Sequence, residues 1–266
     1  TDQYLYDIAP DGQGGAFIVW YDFPSYDIYA QHVLTNGTIA PGWPADGLPV
    51  NTAPGQQLWP RMIADGAGGV FVAWMDGSGF SVGDIRAQHL NWDGTRVSGW
   101  PEEGLAVCTA EGVQWSPVLD SDGAGGCFIA WSDTRSGVGA DVYVQRVNGS
   151  GEIAVGWPVG GRQVSSGGGT FAGVYGVVPD GAGGAYVGWK VNYGEGVYED
   201  DVFATRILGD GSIAPGWPAG GNPVCVLPDI QQLTSVVADG AGGVFLAWYD
   251  NRTRPAVAYV QRLRPD

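Results

Sequence analysis

Residues Asp122-Gly123-Ala124-Gly125-Gly126, with the apolar run that follows them to Trp131, decide the fold of this 266-residue chain. The pattern D-G-x-G-G, followed by five residues that close on tryptophan, is written five times. Its aspartates are Asp11, Asp65, Asp122, Asp180 and Asp239, and its tryptophans are Trp20, Trp74, Trp131, Trp189 and Trp248. Successive copies begin 54 to 59 residues apart. Such a regular spacing predicts a repeat architecture in which these ten residues are structural.

The other features of each period also come in a fixed order. In the first period, the turn is followed by the apolar segment 17–20, a second apolar segment 27–33, the pair Asn36-Gly37 and a Gly-Trp-Pro sequence. Pairs such as Asn-Gly accept positive φ and suit tight hairpins. No helical periodicity is present, so each repeat predicts about four short antiparallel strands.

The strand after each D-G-x-G-G turn is apolar on both faces. Phe71 and Ala73 point to one side, and Val72 and Trp74 point to the other. A sheet of this kind must be covered on both faces. Sheets stacked around a closed ring meet that requirement. The sequence therefore predicts an all-β fold, a five-bladed β-propeller of mostly four-stranded antiparallel blades.

The whole chain resembles a five-bladed β-propeller, and its D-G-x-G-G…W repeats are similar to those of secreted bacterial propellers. It resembles propeller lectins and the Asp-box of sialidase-type propellers, S-x-D-x-G-x-x-W, less strongly. The Asp-to-Trp separation here is nine residues, longer than in an Asp-box, so the activity of that family is not carried over. Known five-bladed propellers include lectins and glycoside hydrolases, and the resemblance makes these the two classes to weigh. It also implies a secreted or cell-surface location.

We expect one propeller domain over residues 1–266, with blades at about 1–52, 53–109, 110–166, 167–226 and 227–266. The fifth repeat has no Gly-Trp-Pro segment. Its blade is therefore expected to have three strands, and the alternative is that the chain belongs to a longer array. The chain is expected to be monomeric or part of a longer polypeptide.

The charge balance limits the partners. Asp and Glu number 28 and Lys and Arg number 12, which gives a formal net charge of −16. An acidic surface repels phosphate backbones and anionic lipid headgroups, so nucleic acid is not an expected partner. No apolar run approaches eighteen residues, and no membrane insertion is expected. Cys108, Cys127 and Cys225 are expected to be small buried hydrophobic residues.

The Gly-Trp-Pro tryptophans are the candidate ligand-binding residues: Trp43, Trp100, Trp157 and Trp217. Their rings could stack on sugars, with one site per blade, as in the lectins that the chain resembles. The alternative is that each covers the outer edge of its blade, where proline removes a backbone donor. From the first interpretation we expect a non-catalytic binding module, for glycans or for other proteins as a scaffold.

A glycoside hydrolase or lyase that acts in the central channel is the alternative function. Hydrolysis of a glycosidic bond requires two facing carboxyl groups. The charged residues expected on the inner strands are only Asp7, Arg61 and Asp120, without a glutamate, so no catalytic residue is assigned. No metal-spaced His or Cys set or phosphate-binding loop is present, so neither a metal nor another cofactor is expected.

Two further features are open to a structural or a functional interpretation. Four rim aspartates follow their tryptophan by two residues: Asp22, Asp76, Asp133 and Asp250. They either bind a cation or sugar hydroxyl groups, or form a repeated ion pair or turn cap, for which third-strand residues such as Arg146 are candidate partners. Blade four departs most from the pattern, with Lys190 after its tryptophan and the atypical stretches 165–170 and 198–201. If symmetry is broken for function, we expect it there; neutral drift is the alternative.

Overall fold

Nineteen β-strands form five antiparallel sheets in a computed structural model of the protein, which describes residues 2–77, 82–165, 171–194 and 199–265. In each sheet the strands follow the order of the chain, so every blade is a meander. The strands of blade one are β1 Asp2–Pro10, β2 Ala16–Phe23, β3 Ile28–Val33 and β4 Leu48–Asn51. Those of blade two are β5 Gln56–Ala64, β6 Val70–Gly77, β7 Gly83–Leu90 and β8 Leu105–Cys108.

Blades three and four repeat this plan, and blade five has three strands within the described ranges, as predicted. Blade three contains β9 Gln114–Ser121, β10 Cys127–Asp133, β11 Asp141–Val147 and β12 Arg162–Gln163. Blade four contains β13 Phe171–Pro179, β14 Ala185–Asn192, β15 Asp200–Ile207 and β16 Asn222–Cys225. Blade five contains β17 Gln231–Ala238, β18 Val244–Asp250 and β19 Val257–Leu263. The all-β five-bladed propeller predicted from the repeats is confirmed.

The D-G-x-G-G turn joins the first two strands of each blade. In blade three, Asp122 Oδ1 accepts the backbone N–H groups of Ala124 and Gly126 at 2.7 and 2.8 Å. Gly123 has a φ of 71°, in the left-handed region that favours glycine. A Cβ on Gly126 would collide with the carbonyl oxygen of Val147 on the third strand. The aspartate and glycines thus set the geometry of the turn.

The second carboxylate oxygen of each turn aspartate contacts a histidine or arginine side chain of the third strand. Asp122 Oδ2 pairs with Arg146 at 2.8 Å, and Asp11 Oδ2 contacts His32 Nε2 at 3.0 Å. Arg146 was considered above as a partner for the rim aspartates, and that pairing is not observed in blade three. Asp133 pairs instead with Arg135, two residues further along its own loop, at 2.5 Å. Asp133 lies opposite Asp141, at the other end of the third strand, whereas the tight turn brings Asp122 next to Arg146.

The core is divided among the blade interfaces. Four buried clusters lie between consecutive blades: one and two, two and three, three and four, and four and five. The inner strands β1, β5, β9, β13 and β17 pack on one another in that order around the channel. Cys108, Cys127 and Cys225 are buried and unpaired, as predicted. The ring therefore rests on four packed interfaces.

The closed ring expected from the sequence is not made between blade five and blade one. Leu5 and Ile8 on β1 are 68% and 60% exposed. On the facing side, Val260 on β19 is 65% exposed. A packed fifth interface would bury these side chains. The described residues thus form an open ring, in which they leave one sheet face of blade one and one of blade five uncovered.

Candidate functional site

All five inner strands carry a register irregularity at one shared level. It lies between Leu5 and Asp7 in β1 and recurs in β5, β9, β13 and β17. In β5 and β9 the irregular segment ends on a proline, which cannot donate to the ladder. Bulges re-aim side chains and are frequent beside active sites. Here they break the alternation of the strands at the wall of the channel.

Two channel residues hold a backbone conformation that side chains disfavour. Trp59 has a φ of 51° and Ser116 a φ of 52°, and each directly precedes the proline of its bulge. Such conformations cost of order 1–3 kcal/mol and cluster at ligand sites. Their occurrence in neighbouring blades at the same level marks this part of the channel as a candidate site.

The mouth of the channel is an aromatic-lined cavity of about 480 Å³. Four blades contribute its aromatic side chains, which are Tyr6, Trp59, Trp115 and Tyr175. Thr234 of blade five completes the circle. Aromatic faces at the wall of a pocket suit the apolar faces of sugar rings, which present C–H groups.

A second cavity of about 300 Å³ shares Arg61 and Tyr175 with the mouth and so adjoins it. Both Asp7 and Asp120 line this inner cavity, from blades one and three. The channel therefore brings together the three charged residues that the sequence placed on the inner strands.

Asp7 is held by backbone donors from two blades. Its Oδ1 accepts the N–H of Ile8 at 3.0 Å, and its Oδ2 accepts the N–H of Met62 on β5 at 3.1 Å. Arg61, next to Met62, lies 5.3 Å from the centre of the Tyr6 ring. These contacts fix a carboxyl group and a guanidinium on the same side of the channel.

Asp120 has a different environment from Asp7. Its Oδ1 accepts one backbone N–H, from Ser121 at 2.8 Å, and within the described ranges it makes no ion pair. Burial raises the pKa of Asp120, and that single hydrogen bond opposes the shift without cancelling it. A carboxyl group with a raised pKa keeps its proton nearer to neutral pH, as a general acid requires.

A chain of polar contacts reaches the channel from blade four. Lys190 Nζ donates to Asp200 Oδ2 at 2.9 Å and to Gln232 Oε1 at 3.0 Å. Gln232 Nε2 in turn donates to the hydroxyl oxygen of Tyr175. Because that oxygen acts as an acceptor, the hydroxyl proton of Tyr175 is left to donate into the cavity. The lysine singled out in blade four is thus linked to the candidate site, whereas residues 166–170 and 198 lie outside the described residues.

None of the four Gly-Trp-Pro tryptophans lines either channel cavity, and three of them are buried. Trp43, Trp100 and Trp157 are each only 6% exposed. Their indole N–H groups donate to backbone carbonyls of the following blade, at Trp92, Gly149 and Gly209, over 2.8 to 3.0 Å. Trp217 packs against Tyr186 with 5.7 Å between ring centres. Trp43, Trp100 and Trp157 each connect one blade to the next, so for these three the alternative structural role fits better than sugar stacking.

The charged residues of the channel are predictable from the sequence, whereas its aromatic residues were not predicted. Tyr6, Trp59, Trp115 and Tyr175 lie outside the repeated pattern and therefore drew no attention. The signal that could have found two of them was the proline inside a strand, at Pro60 and Pro117, because proline within a sheet marks a bulge.

Metal ligands and membrane spans were also sought. In the described part of the chain, no three His, Cys, Asp or Glu side chains come together as a metal site. The same residues contain no helix with the length and apolar character needed to cross a bilayer.

Neither a protein-family model nor a curated protein matches the sequence. Solved structures do match. A protein of unknown function from Dyadobacter fermentans DSM 18053 matches with a TM-score of 0.56 and 9% identity, over 99% of this chain and 79% of that chain.

Two matching structures are arabinan-degrading enzymes by description. An endo-arabinase from Bacteroides thetaiotaomicron VPI-5482 matches with a TM-score of 0.47 and 10% identity, over 97% of this chain and 93% of that chain. An α-L-arabinanase from Penicillium chrysogenum, complexed with arabinobiose, matches with a TM-score of 0.48 and 12% identity, over 98% and 93%. At these identities the likeness concerns the fold alone.

The predicted function, a non-catalytic binding or scaffold module, is corrected by these findings. Several matching structures are described as arabinanases, arabinofuranosidases or a glycoside hydrolase, which is the class named above as the alternative function. The structure supplies a physical reason, because three of the four tryptophans on which the binding interpretation rested, Trp43, Trp100 and Trp157, are buried. The candidate site is therefore the channel and not the surface that carries the Gly-Trp-Pro tryptophans.

Proposed function

We propose that this protein is a glycoside hydrolase that cleaves its substrate in the central channel. The observation that carries the proposal is the pair of carboxyl groups, Asp7 and Asp120, in one cavity that opens into an aromatic-lined mouth. Hydrolysis of a glycosidic bond needs one carboxylic acid and one carboxylate beside the scissile bond. Asp7 on β1 and Asp120 on β9 have different hydrogen-bond environments, which supports an unequal pair of this kind.

In this proposal Asp120 is the general acid. It donates its proton to the glycosidic oxygen as the bond from that oxygen to the anomeric carbon breaks. Asp7 is the carboxylate partner, which assists the attack on the anomeric carbon; when water attacks, its proton ends on the carboxylate and its oxygen on the sugar. Both sugar products leave with free hydroxyl groups, so the reaction needs no further reactant.

The remaining channel residues bind the substrate. Trp59 and Trp115 offer ring faces for stacking on sugar units, and Arg61 and Tyr175 offer hydrogen-bond donors to hydroxyl groups. We further propose that the enzyme acts outside the cell, on a glycan. The net charge of −16 supports this setting, because a strongly acidic surface favours solubility in salty media.

A panel of polysaccharides and oligosaccharides, including arabinan, tests the proposal. The wild-type protein should release reducing ends from at least one substrate, and Asp120→Asn should slow the release by about 10²- to 10⁴-fold. Asp46→Asn, an exposed aspartate in a surface loop, is the matched control and should keep full activity. Release of reducing ends that Asp120→Asn leaves unchanged, or no release from any glycan, would overturn the proposal.

A further inference from the structure

Each blade has two sheet faces, and the chain follows one rule for covering them. The face toward the following blade carries Phe71 and Ala73 in blade two, which pack with Ile129 and Trp131 of blade three. The face toward the preceding blade carries Val72 and Trp74, which pack with Phe17 and Val19 of blade one. We call these the forward face and the backward face.

The forward face of blade five is built like the others but is uncovered. Phe245 is 39% exposed, whereas its four counterparts in blades one to four are fully buried: Phe17, Phe71, Phe128 and Tyr186. Val260 is 65% exposed, and its counterparts are at most 1% exposed: Ala30, Ala87, Val144 and Ala204. Apolar side chains in contiguous rows of this kind are typical of an interaction surface.

The backward face of blade one is uncovered in the same way. Ile8 is 60% exposed, whereas its counterpart Met62 in blade two is 4% exposed. Leu5 is 68% exposed, and its counterpart Leu233 in blade five is fully buried. The two uncovered faces of the molecule are therefore one forward face and one backward face.

The polar contacts follow the same rule. His32, His89, Arg146 and Arg206 each bond the aspartate of their own turn and also a backbone carbonyl of the following blade, at Trp92, Gly149, Gly209 and Pro265 respectively. Arg262 occupies this position in blade five and bonds Asp239. Within the described ranges it has no following blade to meet, and its side chain is 42% exposed, against 18% for Arg146.

We propose that the backward face of blade one in a second copy of this chain docks on the forward face of blade five. The fit is argued from the four interfaces that the chain already makes, each of which joins a forward face to a backward face. The two uncovered faces of a single copy do not meet, since Leu5 and Val260 are both exposed. The contact is head-to-tail. Each copy that docks through one of its two uncovered faces keeps the other face free for a further copy.

The docked arrangement predicts one polar contact. The carbonyl that accepts from His32 belongs to Trp92, which directly precedes the Asp93-Gly94 turn of the next blade. The residue at this place in blade one is Thr35, which is exposed and precedes Asn36-Gly37. Arg262 of one copy would thus donate to the Thr35 carbonyl oxygen of the next.

Two variants that each block one face test the proposal. Leu5→Asp blocks the backward face, and Val260→Asp blocks the forward face; both positions are exposed, so neither charge enters the core. Wild-type protein should gain mass with concentration in analytical ultracentrifugation. Each variant alone should stay at the mass of one copy. An equimolar mixture should form a species of twice that mass and stop there, since it holds one working face of each kind.

The matched control is Val159→Asp, which places the same charge at a 93% exposed position that lies on neither face. It should associate as the wild type does. Circular dichroism of every variant should match the wild type, which verifies folding. A wild type that keeps the mass of one copy at every concentration would overturn the proposal. So would a mixture of the two blocked variants that forms no species of double mass.

Discussion

Asp120 and Asp7 are both aspartates on inner strands, yet the channel gives them different chemistry. Asp7 accepts backbone donors through both oxygens, whereas Asp120 accepts through one and is partly buried. Burial disfavours the charged form, and this difference supports Asp120 as the acid of the pair.

The pH dependence of hydrolysis tests this assignment. The pKa of Asp120 is raised, so its active, protonated form persists above the usual aspartate range and is lost as the pH rises through that pKa. We expect kcat/KM to decline as the pH rises through the raised pKa of Asp120, which gives the profile its alkaline limb. Asp120→Asn should lower kcat/KM by about 10²- to 10⁴-fold. An alkaline limb that persists unchanged in the residual activity of Asp120→Asn would contradict the assignment.

Tyr175 should affect substrate binding more than the chemical step. Its hydroxyl oxygen is held by Gln232, so Tyr175→Phe removes a positioned donor and keeps the ring. A single hydrogen bond of this kind contributes about 1 kcal/mol, so we expect KM to rise about 3- to 10-fold with little change in kcat.

The control for Tyr175→Phe is Tyr143→Phe. That hydroxyl donates to Gln163 at 3.2 Å on the outer part of blade three. The Tyr143→Phe substitution should leave KM unchanged in the same steady-state assay. Equal effects of the two substitutions would show that the Tyr175 hydroxyl has no role in the site.

At the scale of the element, the D-G-x-G-G turn is the unit that the chain repeats. One carboxylate oxygen of its aspartate accepts backbone N–H groups of the turn, and the other contacts the histidine or arginine of the third strand. The pKa of Asp11 is lowered, first by its hydrogen bond with His32. For Asp65, burial acts against ionisation, but the hydrogen bonds from His89, Ala67 and Gly69 outweigh it and lower the pKa. Backbone N–H groups lower the pKa of Asp239. The folded state therefore binds these protons less readily than the unfolded chain.

Acid should unfold the protein through these turns. A carboxyl group with a lowered pKa contributes stability that is present above its unfolded pKa, about 3.9, and is lost as the pH falls through the folded value. Urea unfolding at a series of pH values should show a free energy of unfolding that declines below about pH 4. A flat profile across the acid range would contradict the role given to these aspartates.

At the scale of the whole molecule, the repeats predict the number of blades and most strands. Turn residues and the alternation of apolar side chains depend only on nearby residues of the sequence, so they can be recognised without the structure. Ring closure is not local. Leu5 and Val260 are apolar like their counterparts, and only the arrangement of the blades reveals that no described residue covers them.

The site was harder to predict than the fold for a related reason. Trp43 and Trp59 are both tryptophans beside a proline, and no feature of composition separates an interblade clamp from a ring at the channel. The irregular register at Trp59 changes which way side chains point, so alternation along the strand fails there. Asp7, Arg61 and Asp120 were found because charge on an inner strand is conspicuous.

The central claim is that the channel is where substrate is cleaved, and obstructing it is the most direct test. Thr234 lines the mouth and is exposed, whereas the native cysteines are buried, so Thr234→Cys can be labelled selectively with a bulky maleimide. Val155→Cys, at a 97% exposed position of the outer surface, is the labelled control. The account predicts that labelling stops hydrolysis in Thr234→Cys and leaves it intact in Val155→Cys. Undiminished hydrolysis by labelled Thr234→Cys would contradict it.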